Sequence, residues 1–533
     1  MAQVKMQKGE PMVWMTGAAL SVTLLCTVVL LVVIVASGAG YFWPADVALV
    51  RLSDGKTAQG EIAHAIYDDG GKLGRIQVKV GNRDLYGADF RWIDGKDVDR
   101  IEYPEDVVVL ERQENGNFYG SLQQLNLKSL DLPAGGTNWE RLLAAKEALE
   151  ERHGEVQEIA GRMTTLNLRL EELRLGILKA HYEGGPGEAP RVAALDAERV
   201  EVRRDFDAES ERMSALMAEL RGSSATFADS AGQTQEIPIV AIVRAYQPNT
   251  MPVATKSLSY LERVRELLWE EPRESNTEGG LFPAIFGTVS LVLVMSAFCI
   301  PLGVIAAIYL QEYAKDGPLL RMVRIAVFNL SGVPSIVYGI FGLGFFIYGI
   351  GGTLDQIFFP ERLPTPVFGT GGILWASLTL ALLTVPVVIV ATEEALASIP
   401  RGIREASLSL GATKFQTLVR VLIPMAAPGI ITGFVLAMAR AAGEVAPLMI
   451  TGVVKLAPAL PIDGQFPFVH LDRKFMHLGF HIYDVGFQSP NVEAAKPMVF
   501  ITTMLLVSIV VLLSLAAIVL RNSMQKRYAT KTF

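Results

Sequence analysis

Arg440 and Glu444 stand alone as charges in an otherwise apolar run from Pro428 to Val454. An arginine near the centre of a bilayer costs on the order of 2.5–3.5 kcal/mol on insertion scales, so it normally faces a partner or a polar cavity. A guanidinium grips an oxyanion through two parallel hydrogen bonds. Arg440 therefore suits an anion path. The two residues also sit one helical turn apart, a spacing that lets them pair and simply fix helix packing.

The second group is a cytoplasmic-type loop, 392–424, too long for a plain hairpin. It carries Glu405-Ala406-Ser407, then Gly411, then Val421-Leu422-Ile423-Pro424, with Pro400 ahead of it. Proline and glycine punctuate such a segment into helix, turn and helix, a compact knob for a partner.

Other combinations lead nowhere. Gly55-Lys56-Thr57 ends like a phosphate-binding loop, but Val50 stands where that loop needs glycine. His470, His477 and His481 include an i,i+4 pair beside Asp472 and Asp484, without the convergence a metal requires. Cys26 and Cys299 fall inside apolar runs, where a thiol acts as a small apolar group. No catalytic residue and no metal ligand is expected.

These residues need a membrane frame. Half of the 533 residues are hydrophobic and 19% are charged. Six runs reach the ~20 apolar residues that a span takes: Val13–Gly38, Ala284–Leu310, Ile325–Ile350, Gly371–Ala391, Pro428–Val454 and Pro497–Leu520. The first is read as a retained span rather than a cleaved signal, with Tyr41-Phe42-Trp43 as its aromatic anchor. Lys5 and Lys8, Lys315, Arg321 and Arg324, then Arg401, Arg404, Lys414 and Arg420, and finally Arg521, Lys526, Arg527 and Lys531 fall on one face. The positive-inside rule makes it the cytoplasm and puts both termini there.

The net charge of −7 conceals an asymmetry. Residues 41–280 hold 29 Lys and Arg against 42 Asp and Glu, an acidic insertion on the opposite face. With no basic footprint, nucleic acid is not an expected partner. Alternations such as Arg75–Val80 and the run Val107–Leu110 predict a β-rich part over 47–130. Over 139–221 the period becomes seven. Leu142, Leu149, Val156, Met163, Leu170 and Ile177 make one row, and Ala145, Ile159, Leu166, Leu173 and Ala180 another, interrupted by Arg152. Gly184–Gly187 breaks the helix and Val192, Phe206, Met213 and Leu220 return it, an antiparallel helical hairpin. Four regions result: 1–40 (terminus and first span), 41–280 (insertion), 281–521 (five further spans) and a basic tail at 522–533.

The 405–424 pattern resembles the loop of permease subunits in binding-protein-dependent ABC importers, with Ser407, Val421 and Ile423 as conservative departures. Arg440-Ala441-Ala442-Gly443-Glu444-Val445-Ala446-Pro447-Leu448, with Ser331–Gly339 and Leu408–Lys414, closely resembles the PstA-type permeases of phosphate ABC importers over about 281–521. The stretch from Leu456 to Asn491 is similar to that of long variants, which also carry an insertion after the first span. The resemblance implies a type I importer permease fold of six membrane helices in a bacterial inner membrane. It also implies a homologous PstC-type permease, an ATP-binding subunit dimer that holds ATP and Mg, and a periplasmic phosphate-binding protein as partners. Glu405, Ala406, Gly411 and Pro424 would then couple to the ATPase, Arg440 and Glu444 would line the phosphate path, and this chain would bind no cofactor and catalyse nothing. Two rival readings are an importer of another oxyanion or polar solute, and a sensor with a periplasmic coiled coil.

Overall fold

The computed structural model describes residues 10–528 apart from 69, 129–134, 186–187, 465, 467 and 490–491. Lys5, Lys8 and Lys531 of the basic segments, Leu130 of the β-rich part, Pro186-Gly187 of the turn, and Pro490-Asn491 lie outside them. Among the described residues six helices are long and apolar enough to cross a membrane: Met12–Gly40, Phe282–Tyr313, Ser335–Phe358, Ile373–Ala397, Lys414–Gly443 and Val492–Lys526. The helices starting at Phe282, Ile373 and Lys414 share the main apolar core around Leu291, Leu380 and Ala441. The first helix lies against the last, with Gly38 in contact with Phe500.

Two spans differ from expectation. The third begins at Ser335, not Ile325, because a separate helix, Pro318–Leu330, ends in a turn at Ser331–Pro334. Pro334 supplies no N–H and disfavours helix in the residue before it. The fifth stops at Gly443 rather than running to Val454. Glu444 is extended (φ −80°, ψ 134°) and a short helix, Ala446–Thr451, follows. Pro447 again accounts for the break, since its ring would clash with the Gly443 carbonyl in a continuous helix.

The insertion holds two five-stranded sheets. The first is antiparallel in the order β4-β3-β2-β1-β5, from β1 (Val47–Leu52), β2 (Thr57–Tyr67), β3 (Leu73–Lys79), β4 (Phe90–Asp94) and β5 (Val98–Glu102). The second, in the order β10-β6-β7-β8-β9, takes β6 (Val108–Arg112) and β7 (Phe118–Asn126) from before the helical hairpin. Its other strands, β8 (Ser224–Ala228), β9 (Thr234–Pro238) and β10 (Ile242–Tyr246), come after it. The β-rich part thus extends beyond residue 130. Asn126 pairs with Ser224, so the hairpin is a long connection between neighbouring strands.

That hairpin consists of Asn138–Glu183 and Glu188–Leu220. Thr137 caps its start, accepting the Glu140 N–H (3.2 Å) while the Glu140 carboxylate accepts the Thr137 N–H (2.8 Å). Gly184, at φ 58°, ends the first helix in the left-handed conformation that glycine tolerates best. Arg152, the break in the heptad row, reaches across to Glu219 at 2.8 and 3.1 Å. The base of the hairpin packs Leu142, Leu149 and Leu220 on Phe118 and Phe227 of the sheet, and the far part of its first helix meets Pro360–Arg362 after the third span.

Within the insertion, charge pairs fasten the second sheet to the helix Val253–Trp269 that leads into the second span. Glu111 accepts from Arg244 (3.0 Å) and from Arg263, and Glu266 forms ion pairs with Arg244 and Arg273 at 2.5 Å each. Burial would raise the Glu111 carboxyl, but Arg263 and Arg244 outweigh it and hold the group below the usual carboxylate range. Arg83 bridges Asp89 and Glu274 at 2.6 Å each.

Candidate functional site

Arg440 occupies the last turn of the fifth apolar helix and Glu444 the first extended residue past it. Their closest approach, Arg440 Nε to Glu444 Oε1, is 3.7 Å. That is an ion pair too long for a hydrogen bond, and among the described residues the guanidinium has no hydrogen-bond partner. Its side chain is 34% exposed although the flanking Ala441 and Ala442 are buried. One helix thus packs on the core while presenting a charge on its free side.

The break brings two distant segments together. Ser331–Pro334 turns the chain and Ser335–Phe341 lies on Ala446–Thr451. Gly339 is the point of closest approach to Pro447, and Gly342 nests between Thr379 and Thr451. Tyr338 is buried here, its hydroxyl donating to the Leu330 carbonyl at 2.7 Å. Ser331 and Gly332 stay exposed, with the Ser331 hydroxyl turned back to the Phe328 carbonyl (2.7 Å).

The elbow at 401–424 is built as the spacing predicts. Arg401–Ser409 forms a short helix after Pro400, and Gly411 turns the chain at φ 85°. Thr413 caps the next helix, accepting the Gln416 N–H at 3.2 Å. Glu405 and Ala406 are exposed beside Leu410, which is 89% exposed, and Phe415. Pro424 is elsewhere: it is half-buried inside the fifth apolar helix, at the start of its α-helical part Ile423–Gly443, and not on the exposed face.

The sequence reading missed the brace behind the elbow. Arg404 donates to Glu312 Oε1 (3.1 Å) and to the carbonyls of Leu396 and Ile399 (2.6 Å each). Lys414 Nζ donates to the Glu312 carbonyl at 2.5 Å. The elbow is thereby tied to the ends of the second and fourth apolar helices. Placing 311–324 and 392–424 on one face was the available signal, but it names no pair.

The three histidines separate. His470 meets Asp463 at 3.0 Å. His477 accepts the Gly479 N–H, and His481 donates from Nε2 to the Asn276 carbonyl and meets the Thr502 hydroxyl. Burial pushes both His477 and His481 down to about 4. They hold the 455–496 loop together as neutral rings. Among the described residues no group of three or more His, Cys, Asp or Glu is placed to hold a metal.

Residues 299–528 match the family of the binding-protein-dependent transport system inner membrane component. The chain is 38% identical over 172 residues to the "Phosphate transport system permease protein PstA" of Mycobacterium leprae, covering 32% of this chain and 51% of that one. It is 33% identical over 223 residues to the "Probable ABC transporter permease protein YqgI" of Bacillus subtilis, covering 40% and 70%. The PstA protein of Yersinia pestis is 33% identical over 222 residues, covering 42% and 66%. The chain thus spans about half the length of the first of these relatives.

Proposed function

The chain belongs to the binding-protein-dependent transport system inner membrane component family, and we propose that it is the membrane permease subunit of an ATP-driven inorganic phosphate importer. The observation that carries the reading is the half-buried Arg440 guanidinium at the break of the fifth helix, beside the packed segments 331–339 and 440–448. Phosphate at neutral pH carries one to two negative charges and several acceptor oxygens. An arginine with unused donors in a low-dielectric span suits such a group better than an ammonium does. Glu444, 3.7 Å away, offsets the charge while the path is empty.

In this reading a homologous PstC-type permease supplies the other wall of the path, and a periplasmic phosphate-binding protein delivers the anion. An ATPase dimer, holding ATP and Mg, receives Glu405, Ala406 and the exposed apolar residues of the elbow. Closure of that dimer pushes the elbow, and the Arg404–Glu312 brace passes the push to the second and fourth helices. The chain itself hydrolyses nothing. Both termini then lie in the cytoplasm and the insertion in the periplasm.

The test is uptake of radiolabelled phosphate by the assembled complex in proteoliposomes with ATP inside and the binding protein outside. ATP-dependent accumulation is expected. Uptake of labelled sulfate in place of phosphate would reassign the cargo.

A further inference from the structure

Between the insertion and the outer ends of the first and last apolar helices lies a cavity of about 320 Å³. Tyr41 and Trp43, just past the first helix, share its wall with Pro497 and Met498 in the opening turns of the last. Aromatic residues at helix ends mark the level of lipid headgroups. The remaining wall comes from the sheets and is crowded with charge.

Most of that charge is committed to the pairs through Glu111, Glu266 and Arg83 described above, and Glu61 accepts the Tyr119 hydroxyl at 3.0 Å. Lys79 and Glu278 differ. Both line the cavity, and neither forms a side-chain ion pair or hydrogen bond among the described residues. Glu61, paired with Lys79 across β2 and β3, is the opposite charge that acts most on Lys79, and Lys79 is the one that acts most on Glu278, in neither case through an ion-pair contact. Both side chains are half-buried in the cavity wall and neither touches an opposite charge, so a molecule placed between them that carries both signs would meet both.

The wall carries five cationic and five carboxylate side chains, formally neutral. It favours neither a bare anion nor a bare cation, but a molecule bearing one charge of each sign. We propose that this cavity holds the headgroup of a phospholipid in the leaflet on the insertion's side, a phosphate joined through two carbons to a primary ammonium. Lys79 meets the phosphate oxygens, Glu278 accepts from the ammonium, and the acyl chains stay in the bilayer beside the first and last helices. A quaternary ammonium has no N–H to donate, so the site separates ethanolamine from choline heads. The inference rests on the chain's lying in a bilayer and not on which solute it carries.

The test uses the full chain in nanodiscs of phosphatidylglycerol doped equally with phosphatidylethanolamine or phosphatidylcholine. Lipids retained on release are counted by native mass spectrometry. The ethanolamine lipid should be kept in preference to the choline lipid, and Lys79→Gln and Glu278→Gln should each weaken its retention about tenfold, while Lys79→Arg keeps it. Equal retention of the two lipids by the unaltered chain overturns the proposal, whatever the variants do. So does unchanged retention in both neutral variants. Water-soluble glycerophosphoethanolamine is the remaining arm: binding as tight as the lipid's would make a free solute the occupant and remove the lipid.

Discussion

Gly339 and Pro447 meet backbone to backbone: a Cβ at 339 would begin 2.8 Å from the Pro447 Cα. The third span and the short helix after the fifth can approach this closely only with glycine at the contact. Gly339→Val should cost about 1–3 kcal/mol by overpacking and lower uptake, seen as a reduced Tm of the purified chain. Gly332→Ala is the control, since the nearest atom to its Cβ would be the Asn329 carbonyl oxygen at 3.5 Å. Equal Tm values for the two variants would dismiss the contact.

Arg440→Gln should reduce phosphate uptake about tenfold or more, and Arg440→Lys should restore part of it, because an ammonium replaces a two-pronged donor with a point charge. The double variant with Glu444→Gln separates the roles. Pairing alone predicts recovery, since no lone charge remains in the span. An anion path predicts continued inactivity at normal complex assembly.

The elbow gives a third expectation. Gly411 has open space around it, so any penalty for a side chain there is conformational and comes from φ 85°. Gly411→Val should cost about 1–2 kcal/mol, distort the elbow, and separate ATP hydrolysis from uptake while membrane insertion stays normal. Gly411→Asn, better suited to that region, should behave closer to the unaltered chain. Wild-type coupling in the valine variant would exclude the elbow as the transmitting element.

Several of these elements are legible in the residues because they repeat or punctuate. The heptads from Leu142 to Ile177 announce the hairpin, and Pro400, Gly411 and Pro424 mark out the elbow. What escapes notice is non-local. Strands β8 and β10 are only five residues long, and their partners β7 and β6 lie on the far side of the helices. The Arg404–Glu312 brace joins residues 92 positions apart. The breaks at Ser331–Pro334 and Glu444–Val445 fall inside runs whose hydropathy is continuous. Hydropathy reports burial in lipid and is blind to where a proline stops the helix.

The sheet contacts also change what a truncation should do. Removing all of 139–221 would strip Leu142, Leu149 and Leu220 from the Phe118–Phe227 core and unfold the second sheet. Removing only 164–207 leaves that base intact. Uptake should then stay measurable and Tm should fall little, whereas abolished uptake in a correctly inserted short variant would make the far half a docking element.

Acid should loosen the 455–496 loop. His477 and His481 have folded values of about 4, below the ordinary histidine value of 6.5, so the unfolded state binds more protons between those limits. Their neutral packing contributes fully above pH 6.5 and is lost as the pH falls toward 4, on the order of 2–3 kcal/mol for each. Tm measured over that window should drop, and His481→Gln should flatten part of the slope. An unchanged slope would exclude His481 as a source of it.

The pairing of Asn126 with Ser224 has a consequence for how the chain is made. At roughly 5–20 residues per second, β7 waits about 5–20 seconds of synthesis before β8 exists. Left as a flexible loop, the intervening stretch of about a hundred residues would oppose closure entropically. The helices remove most of that search. Each forms from neighbouring residues, they zip together from the Gly184 turn, and the rows that join them deliver Leu220, and Ser224 just beyond it, to the side of the chain where β7 stands ready. The hairpin therefore acts as an assembly jig for the sheet that carries it.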